Sequence, residues 1–169
     1  MNYRGCVIQT LIGGLLIQVD PNGALARLDF LRNREAAAVV ADHAEQGHAF
    51  EEDEVATYEV ARQLAEYFAG ERELFQLNLA PRGTPFQMRV WAELQRIPYG
   101  TCCSYGQIAE RLGNPKAVRA VGTANGRNPI PIIIPCHRVI GANGKMVGFS
   151  GGMQLKIELL QHERYLLPM

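Results

Sequence analysis

A cysteine and a histidine stand side by side where an apolar segment of the chain ends. The segment PIIIPCHRV (131–139) places three isoleucines between two prolines, directly before Cys136 and His137. A thiol in apolar surroundings is normally inert, because burial disfavours its ionisation. A histidine that accepts the thiol proton reverses this, and a carboxylate can orient that histidine. The residue types are those of an activated nucleophile, although from spacing alone a Cys-His pair is more often structural than catalytic.

The carboxylate that orients His137 is expected from the last predicted helix, over residues 153–166. Of the two glutamates in this helix, Glu163 lies nearer its apolar face, four residues after Leu159. Because neighbouring residues in an extended segment rarely face each other, His137 is expected to reach Cys136 through a bridging water.

Two short helices are predicted upstream of the cysteine. Ser104 is expected to cap the first, which stops at Gly113. Asn114 is expected to cap the second, with Pro115 in its first turn and the helix over 116–124. Two helices joined at a Gly-Asn turn indicate a helix-turn-helix.

The composition of the second helix bears on what it contacts. It consists mostly of Ala, Val and Gly, and Lys116 and Arg119 project from it. A helix this slim can enter a DNA groove. Tight packing on a neighbouring helix accounts for the small residues equally well.

The two halves of the chain carry opposite charge. Residues 1–83 hold 7 Lys and Arg against 13 Asp and Glu, and residues 84–169 hold 10 against 4, so the net charges are −6 and +6. This asymmetry makes nucleic acid the first candidate partner of the basic half. Two domains that simply differ in surface charge remain the alternative.

The pattern along the chain predicts an α+β fold in two domains. Residues 1–80 are expected to form a small domain with a short antiparallel sheet, because Asn22-Gly23 separates two apolar runs. Helical spacing follows over 55–68, and 74–79 alternates like a strand or an extended segment. After a Pro-Gly linker, residues 84–169 are predicted to be mainly helical and to contain the helix-turn-helix.

Several classes of protein are not favoured by the sequence. It has no apolar stretch long enough to span a membrane and no start typical of a signal peptide, so a cytoplasmic location is expected. The four cysteines form no C-x-x-C pair, and His43, His48 and His162 have no ligand spacing. We therefore expect reduced thiols and no metal site, and we interpret Cys102 and Cys103 as incidental.

The motifs around the cysteine resemble one family across residues 83–167. The segments GTPFQMRVWAELQRIPYG, SYGQIAERLG, AVRAVGTANGRNP, IPCHRVIG, GFSGG and LLQHE are similar to those of the O6-alkylguanine-DNA alkyltransferases. The resemblance implies direct, irreversible transfer of an alkyl group from O6-methylguanine, and from O4-methylthymine, to the protein's own cysteine. It also implies one turnover per chain, base flipping, double-stranded DNA bearing O6-alkylguanine as the partner, a monomer and no cofactor.

The family's catalytic residues carry over to five positions. Cys136 would be the alkyl acceptor, His137 the base acting through a water, and Glu163 the acid that orients it. Asn128 would hold the turn that leads to the reactive loop. Tyr105 would contact the lesion base and help to rotate its nucleotide.

The family's DNA contacts carry over in the same way. Arg119 would enter the duplex in place of the extruded base, and the backbone N–H of Ser150 would reach the guanine oxygen. The backbone carbonyls of Val139 and Cys136 would face the amino group of the base. The remaining residues expected at the DNA are Lys116, Ala117, Val118 and Arg127, although Arg127 fits a solvated helix end equally well.

The sequence departs from the family pattern at one position, and two other functions are alternatives to alkyl transfer. Phe149 occupies a position where family members often carry tyrosine, so one hydroxyl is missing near the pocket. A non-catalytic module that only recognises alkylated DNA would lack Cys136. A cysteine hydrolase would need an oxyanion hole, and no glycine-rich turn surrounds Cys136.

Overall fold

The structure, a computed structural model, describes residues 1–146, 149 and 151–165. The chain divides into two compact units, Met1–Pro81 and Arg82–Met169. Among the described residues, no helix has the length and apolar character that crossing a membrane requires.

A four-stranded sheet forms the first unit, whose residues are all described. Its strands are β1 (Asn2–Thr10), β2 (Gly13–Val19), β3 (Leu25–Phe30) and β4 (Ala49–Glu52), in the order β3-β2-β1-β4. The pairs β1–β2 and β2–β3 are antiparallel, as the hairpin signal predicts, whereas β4 adds to β1 in parallel. At the second turn, Asp20 Oδ1 accepts the backbone N–H of Asn22 and Gly23 adopts a positive φ of 84°.

Two helices complete the first unit, α1 (Ala36–Glu45) and α2 (Glu54–Phe68). The Asp53 carboxylate caps α2 by accepting the N–H of Ala56 at 2.9 Å. α2 packs on β1 and β2 and buries an apolar face that includes Leu64 and Tyr67. The segment 74–79 is not a strand of the sheet, because its only bridge joins Leu79 to Leu25.

The second unit is mainly helical and contains one short parallel strand pair within its described residues. Its elements are α3 (Pro85–Leu94), β5 (Cys103–Ser104), α4 (Tyr105–Arg111), α5 (Val118–Gly126), a 3₁₀ turn (Cys136–Arg138), β6 (Val139–Ile140), a second 3₁₀ turn (Ala142–Gly144) and α6 (Met153–His162). Together with the sheet of the first unit, these helices confirm the predicted α+β class.

Helix α3 packs against the two helices that follow it and donates hydrogen bonds to their C-terminal ends. Thr84 and Gln87 form a capping box at its start, so its first turn has partners for its free N–H groups. Trp91, which is buried, donates from Nε1 to the carbonyl of Ala124 in α5 at 2.9 Å. Arg89 donates to the carbonyl of Leu112, just after α4, at 2.9 Å. Side chains of α3 thus fix the C-terminal ends of both α4 and α5.

The predicted corner between α4 and α5 is present, with one boundary shifted. Ser104 caps α4 in a capping box, and Gly113 follows the helix with a positive φ of 77°. The prediction that Asn114 caps a helix over 116–124 is wrong. Residue 117 instead bonds back to the Asn114 carbonyl in a turn, and α5 starts at Val118 without a side-chain cap. Pro115 and Lys116, which the prediction placed at the start of the helix, lie in this turn instead, so the helix begins only after it.

Candidate active site

Cys136, the predicted nucleophile, is the first residue of a 3₁₀ turn, Cys136–Arg138, that follows a tightly folded apolar loop. Ile132 in this loop has a φ of 73°, an uncommon conformation for a β-branched residue, and the N–H of Ile133 closes a turn on the carbonyl of Pro131 at 2.9 Å. Cys136 itself is only 1% exposed. The expectation of an extended segment is therefore wrong: the cysteine and histidine lie on a turn, within a buried and locally strained loop.

Asn128 holds this loop together from its other end. Its Nδ2 donates to the carbonyl of Ile134 at 2.7 Å, and its Oδ1 accepts the N–H of Ile130 at 3.0 Å. The same side chain lowers the pKa of the Cys136 thiol. One buried amide thus fixes the loop backbone and influences the sulfur.

His137 lies in a fully buried cluster with Glu163 and Arg138, named here the Glu163 cluster. The imidazole Nε2 is 2.7 Å from Glu163 Oε1, and neither side chain has exposed surface. The Arg138 guanidinium donates to both oxygens of Glu163, at 2.8 Å each, and to the carbonyl of Ile97 at 2.7 Å. Glu163 occupies the position just after α6, because that helix ends at His162 rather than at the predicted residue 166.

The Glu163 cluster fixes the proton on one nitrogen of His137. Burial alone would raise the pKa of Glu163, but hydrogen bonds from His137 and Arg138 hold it well below its usual value. An ionised carboxylate only accepts hydrogen bonds, so the imidazole Nε2 carries the hydrogen. Burial lowers the pKa of His137, against the opposing effect of Glu163. The ring is therefore neutral at pH 7, and its Nδ1 is an acceptor.

That acceptor is unoccupied by any described group. His137 Nδ1 is buried and has no hydrogen-bond partner among the described residues. Burial raises the pKa of the neighbouring Cys136 thiol to about 11, against weaker lowering by Asn128 and Lys156. At neutral pH the resting thiol keeps its proton, and the next residue in the chain carries an unprotonated ring nitrogen.

Sequence reasoning missed two charged residues beside the cysteine, Arg138 and Lys156. Lys156 is completely buried in α6, donates to the Val139 carbonyl at 2.5 Å and interacts electrostatically with the Cys136 sulfur. Its place in the sequence gives a signal, because it precedes Leu160 by four residues and Glu163 by seven on one face. For Arg138, the sequence gives no signal other than its position next to His137.

Tyr105 lies at the first position of α4, half-buried, within electrostatic range of Cys136. Burial raises the pKa of its phenol, so it is protonated at neutral pH. Its ring faces Gly122 of α5, where a Cβ atom would stand 3.9 Å from two ring carbons. The structure thus brings Tyr105, Cys136, His137 and Glu163 into the same unit and places the first two within electrostatic range of each other.

The predicted DNA-contacting residues lie mostly on an exposed surface around α5. Lys116, Val118, Arg119 and Arg127 are exposed, whereas Ala117 is half-buried. The backbone carbonyls of Cys136 and Val139 are buried and already accept hydrogen bonds within the protein. Ser150 lies outside the described residues, so its predicted contact is not located; Phe149 is half-buried.

The other cysteines have different surroundings. Cys6 packs in the first unit with its sulfur 2.9 Å from the Thr57 hydroxyl, and Cys103 is buried in β5. Cys102 is half-buried, and burial raises the pKa of its thiol against an opposing effect of Tyr165. Among the described residues, no three His, Cys, Asp or Glu side chains are grouped as a metal site.

A family model and a relative of known name both relate this chain to the same family. The family model for the DNA-binding domain of 6-O-methylguanine DNA methyltransferase matches residues 85–165. A methylated-DNA–protein-cysteine methyltransferase of Methanosarcina acetivorans is 46% identical over 157 residues, which is 93% of this chain and 96% of that protein.

Solved structures agree with the sequence comparison. The crystal structure of the Mycobacterium tuberculosis O6-methylguanine methyltransferase has a TM-score of 0.80 and 42% identity, covering 96% of this chain and 92% of the other. A structure of M. tuberculosis OGT in complex with DNA gives a TM-score of 0.79 and 41% identity, covering 97% and 93%. These matches confirm the resemblance seen in the motifs, and the chain belongs to the methylated-DNA–protein-cysteine methyltransferase family.

Proposed function

We propose that this chain repairs alkylated DNA by transferring the methyl group of O6-methylguanine to Sγ of its own Cys136. The observation that carries the proposal is the pairing of a buried thiol with a neutral imidazole. Within the part of the chain that the structure describes, His137 Nδ1 has no hydrogen-bond partner, while Nε2 lies 2.7 Å from Glu163 Oε1.

The chemistry follows from these protonation states. The thiol proton passes to His137 Nδ1, through a bridging water, and Glu163 stabilises the imidazolium that forms. The sulfur then attacks the methyl carbon, and the carbon–oxygen bond breaks with its electron pair left on the guanine. Tyr105 supplies a proton to the departing base. The product is a thioether that no group in this site can hydrolyse, so each chain acts once.

The lesion must leave the duplex to reach this sulfur. Cys136 is 1% exposed, and a base inside the stack could not approach it. Extrusion costs a few kcal/mol. The exposed Arg119 of α5 fills the vacated position, and Tyr105 contacts the base. Ser150 binds the guanine oxygen through its backbone N–H.

We assign DNA binding and methyl transfer to the second unit, residues 82–169. The residues 84–169 carry a net charge of +6, and the exposed Lys116 and Arg127 are suited to phosphate contacts. The partner is double-stranded DNA bearing O6-alkylguanine, with O4-methylthymine as a second substrate, and the chain works as a cytoplasmic monomer. The M. tuberculosis relative with bound DNA supports this partner class.

The proposal is tested by counting turnovers. The protein is mixed with an excess of duplex carrying O6-methylguanine, and intact-protein mass and remaining lesion are followed. We expect each chain to gain one methyl group and remove one lesion, after which the reaction stops. Continued removal of lesions by a chain that gains no mass, or binding without any transfer, would contradict the proposal.

Base extrusion is tested separately through Arg119. The Arg119→Ala variant is compared with wild type on a methylated duplex and on free O6-methylguanine base. Because the arginine acts only when a base leaves the stack, we expect the rate to fall about tenfold or more in the duplex and to stay unchanged with the free base. Equal losses on both substrates would rule out the role of Arg119 in extrusion.

A further inference from the structure

Arg138 is a buried charged side chain, one residue after His137, that the proposed reaction leaves unused. It is 6% exposed, and its guanidinium donates to both oxygens of one carboxylate. Nε donates to Glu163 Oε2 and Nη2 donates to Glu163 Oε1, at 2.8 Å each. Two parallel bonds of this kind fix the plane of a carboxylate as well as its position. The Glu163 carboxylate therefore cannot rotate without breaking both bonds.

Arg138 and His137 share one oxygen of this carboxylate. His137 Nε2 lies 2.7 Å from Glu163 Oε1, the same atom that accepts from Arg138 Nη2. Because the arginine fixes where Oε1 lies, it also fixes the direction of the hydrogen bond that orients the imidazole. The accepting Nδ1 belongs to the same rigid ring and turns with it. The geometry thus links Arg138 to the proton acceptor through Glu163.

Residues that follow α3 hold the guanidinium from another side. The Ile97 carbonyl accepts from Arg138 Nη1 at 2.7 Å, and the Arg138 Cζ atom lies 5.7 Å from the centroid of the Tyr99 ring, within reach of a cation–π interaction. The Tyr99 hydroxyl donates at 3.4 Å to the carbonyl of His162, the residue before Glu163. The same short segment thus contacts both the arginine and the end of α6, directly before the acid.

The charge of Arg138 acts on His137 as well. Burial is the main cause that lowers the pKa of His137, and Glu163 opposes it through its hydrogen bond and its negative charge. The positive charges of Arg138 and Lys156 lower this pKa further. Among the described residues, the charged groups that face the imidazole are therefore one carboxylate and two cations, beside the protonated thiol of Cys136. With both cations in place, the carboxylate does not hold a second proton on the resting ring.

We propose that Arg138 is a positioning residue whose guanidinium aims Glu163 Oε1 at His137 Nε2 and balances the charge of the carboxylate. This inference rests on the proposed function. During transfer the thiol proton passes to His137 Nδ1, Glu163 stays ionised throughout, and the imidazolium afterwards gives its proton to solvent. Arg138 neither gains nor loses a proton. Stability alone does not account for the pair, because apolar residues of similar volume often stabilise a protein as well as a buried ion pair does.

The geometry and the charge of Arg138 can be separated by substitution. Lysine keeps the positive charge but loses the two-pronged contact, whereas methionine removes both. Loss of the geometry should slow transfer at every pH. Loss of the charge should also raise the pKa of His137, because Glu163 then stabilises the imidazolium with less opposition. The resting ring would become protonated at higher pH, so the transfer rate should begin to fall at higher pH.

The experiment measures single-turnover transfer from an O6-methylguanine duplex between pH ~8.5 and ~5 and follows the imidazole nitrogens by NMR over the same range. In Arg138→Lys we expect a loss of about tenfold or more at every pH, with the wild-type midpoint. In Arg138→Met we expect a similar loss and a midpoint about one pH unit higher in both measurements. A merely structural role would lower the rate and leave the midpoint in place.

Arg27 of the first unit offers a matched control, because it lies 3.5 Å from Asp29, which in turn lies beside the buried His43. Arg27→Lys and Arg27→Met should keep the wild-type rate and midpoint. If Arg138→Met does not fold, Arg138→Gln takes its place, since glutamine is neutral and can still donate to the carboxylate.

Two results would overturn the role of Arg138. One is a rate within about twofold of wild type in both Arg138 variants, and the other is a slower neutral variant whose midpoint has not moved. A wild type that takes no methyl group from the duplex would instead overturn the proposed function. In that case the NMR midpoints would still report whether Arg138 controls the protonation of His137, so the two failures are distinguishable.

Discussion

The two units each bury a histidine beside an acid and an arginine, but the two clusters differ in what the imidazole can do. In the first unit, His43 Nδ1 accepts from Gln18 Nε2 at 2.9 Å, and its Nε2 is 3.8 Å from Asp29 Oδ2. Arg27 approaches Asp29 at 3.5 Å. Burial lowers the pKa of His43, with a further lowering by Arg27.

The Glu163 cluster has the same residue types in a tighter arrangement. Its acid is within 2.8 Å of both His137 and Arg138 and has no exposed surface, whereas the Asp29 side chain is 23% exposed. The accepting nitrogen of His43 is occupied, and that of His137 is unoccupied by any described group. The two clusters therefore contain the same residue types but differ in three features. Only His137 combines a carboxylate within 2.8 Å, a ring nitrogen without a described partner and a cysteine as the preceding residue.

The largest difference between the two units should appear at their buried thiols. Cys136→Ala removes the acceptor atom, so methyl transfer should be abolished while duplex binding remains, as measured by lesion loss and a binding titration. Cys6→Ala, in the first unit, should transfer at the wild-type rate. Residual transfer by Cys136→Ala would mean that another residue accepts the methyl group.

The two histidines should differ nearly as much. His137→Gln removes the proton acceptor, and single-turnover transfer should slow by about 10²- to 10⁴-fold, the usual contribution of a positioned base. His43→Gln should leave the rate within about twofold, since no step uses that ring. If both variants lost activity to a similar extent, the contrast drawn from their hydrogen bonds would be wrong.

The two acids should differ in their contribution to stability. Glu163→Gln leaves the Arg138 guanidinium buried without its counter-charge, and a broken buried pair of this kind costs about 3–5 kcal/mol. Asp29→Asn weakens longer, partly solvated contacts and should cost about 1 kcal/mol or less. Urea unfolding of both variants checks this, and equal free energies of unfolding would show that Arg138 has other partners of comparable strength.

The smallest expected effect is a shift in the pH profile. Because burial lowers the pKa of His137, the neutral and accepting ring persists below the ordinary histidine value. Transfer rates measured from pH ~8 downward should therefore stay level through pH ~6.5 and fall only at lower pH. A rate that declines with a midpoint at or above ~6.5 would indicate that His137 is charged in the resting protein.

Local signals in the sequence predicted much of the fold and part of the site. The Asn-Gly turn, the Ser104 cap and the apolar spacing of α2 act over a few residues, and the structure has each of them. The start of α5 was missed because a turn at Asn114–Ala117 competes with helix there. The local sequence pattern alone does not distinguish a turn from the first turn of a helix at these residues.

The rest of the site depends on contacts between distant parts of the chain. Arg138 hydrogen-bonds Glu163 and Ile97, and Asn125 hydrogen-bonds Cys136. These residues are too far apart in the sequence for a helix or strand periodicity to predict their contact. Lys156 is completely buried, and its spacing from Leu160 and Glu163 is the signal in the sequence that places it on the inner face of the helix. Glu163 was predicted from its place on the apolar face of the last helix. The catalytic role of Cys136 and His137 was predicted through the family resemblance, because spacing alone left a structural pair open.

The most direct test of the proposed acceptor is to locate the methyl group after repair. The protein is treated with a limiting amount of O6-methylguanine duplex, digested and mapped by mass spectrometry over its four cysteines. We predict that every transferred methyl group is on Cys136, with Cys6, Cys102 and Cys103 unmodified. A methyl group on any of those three, or lesion loss with no methylated peptide, would contradict the mechanism.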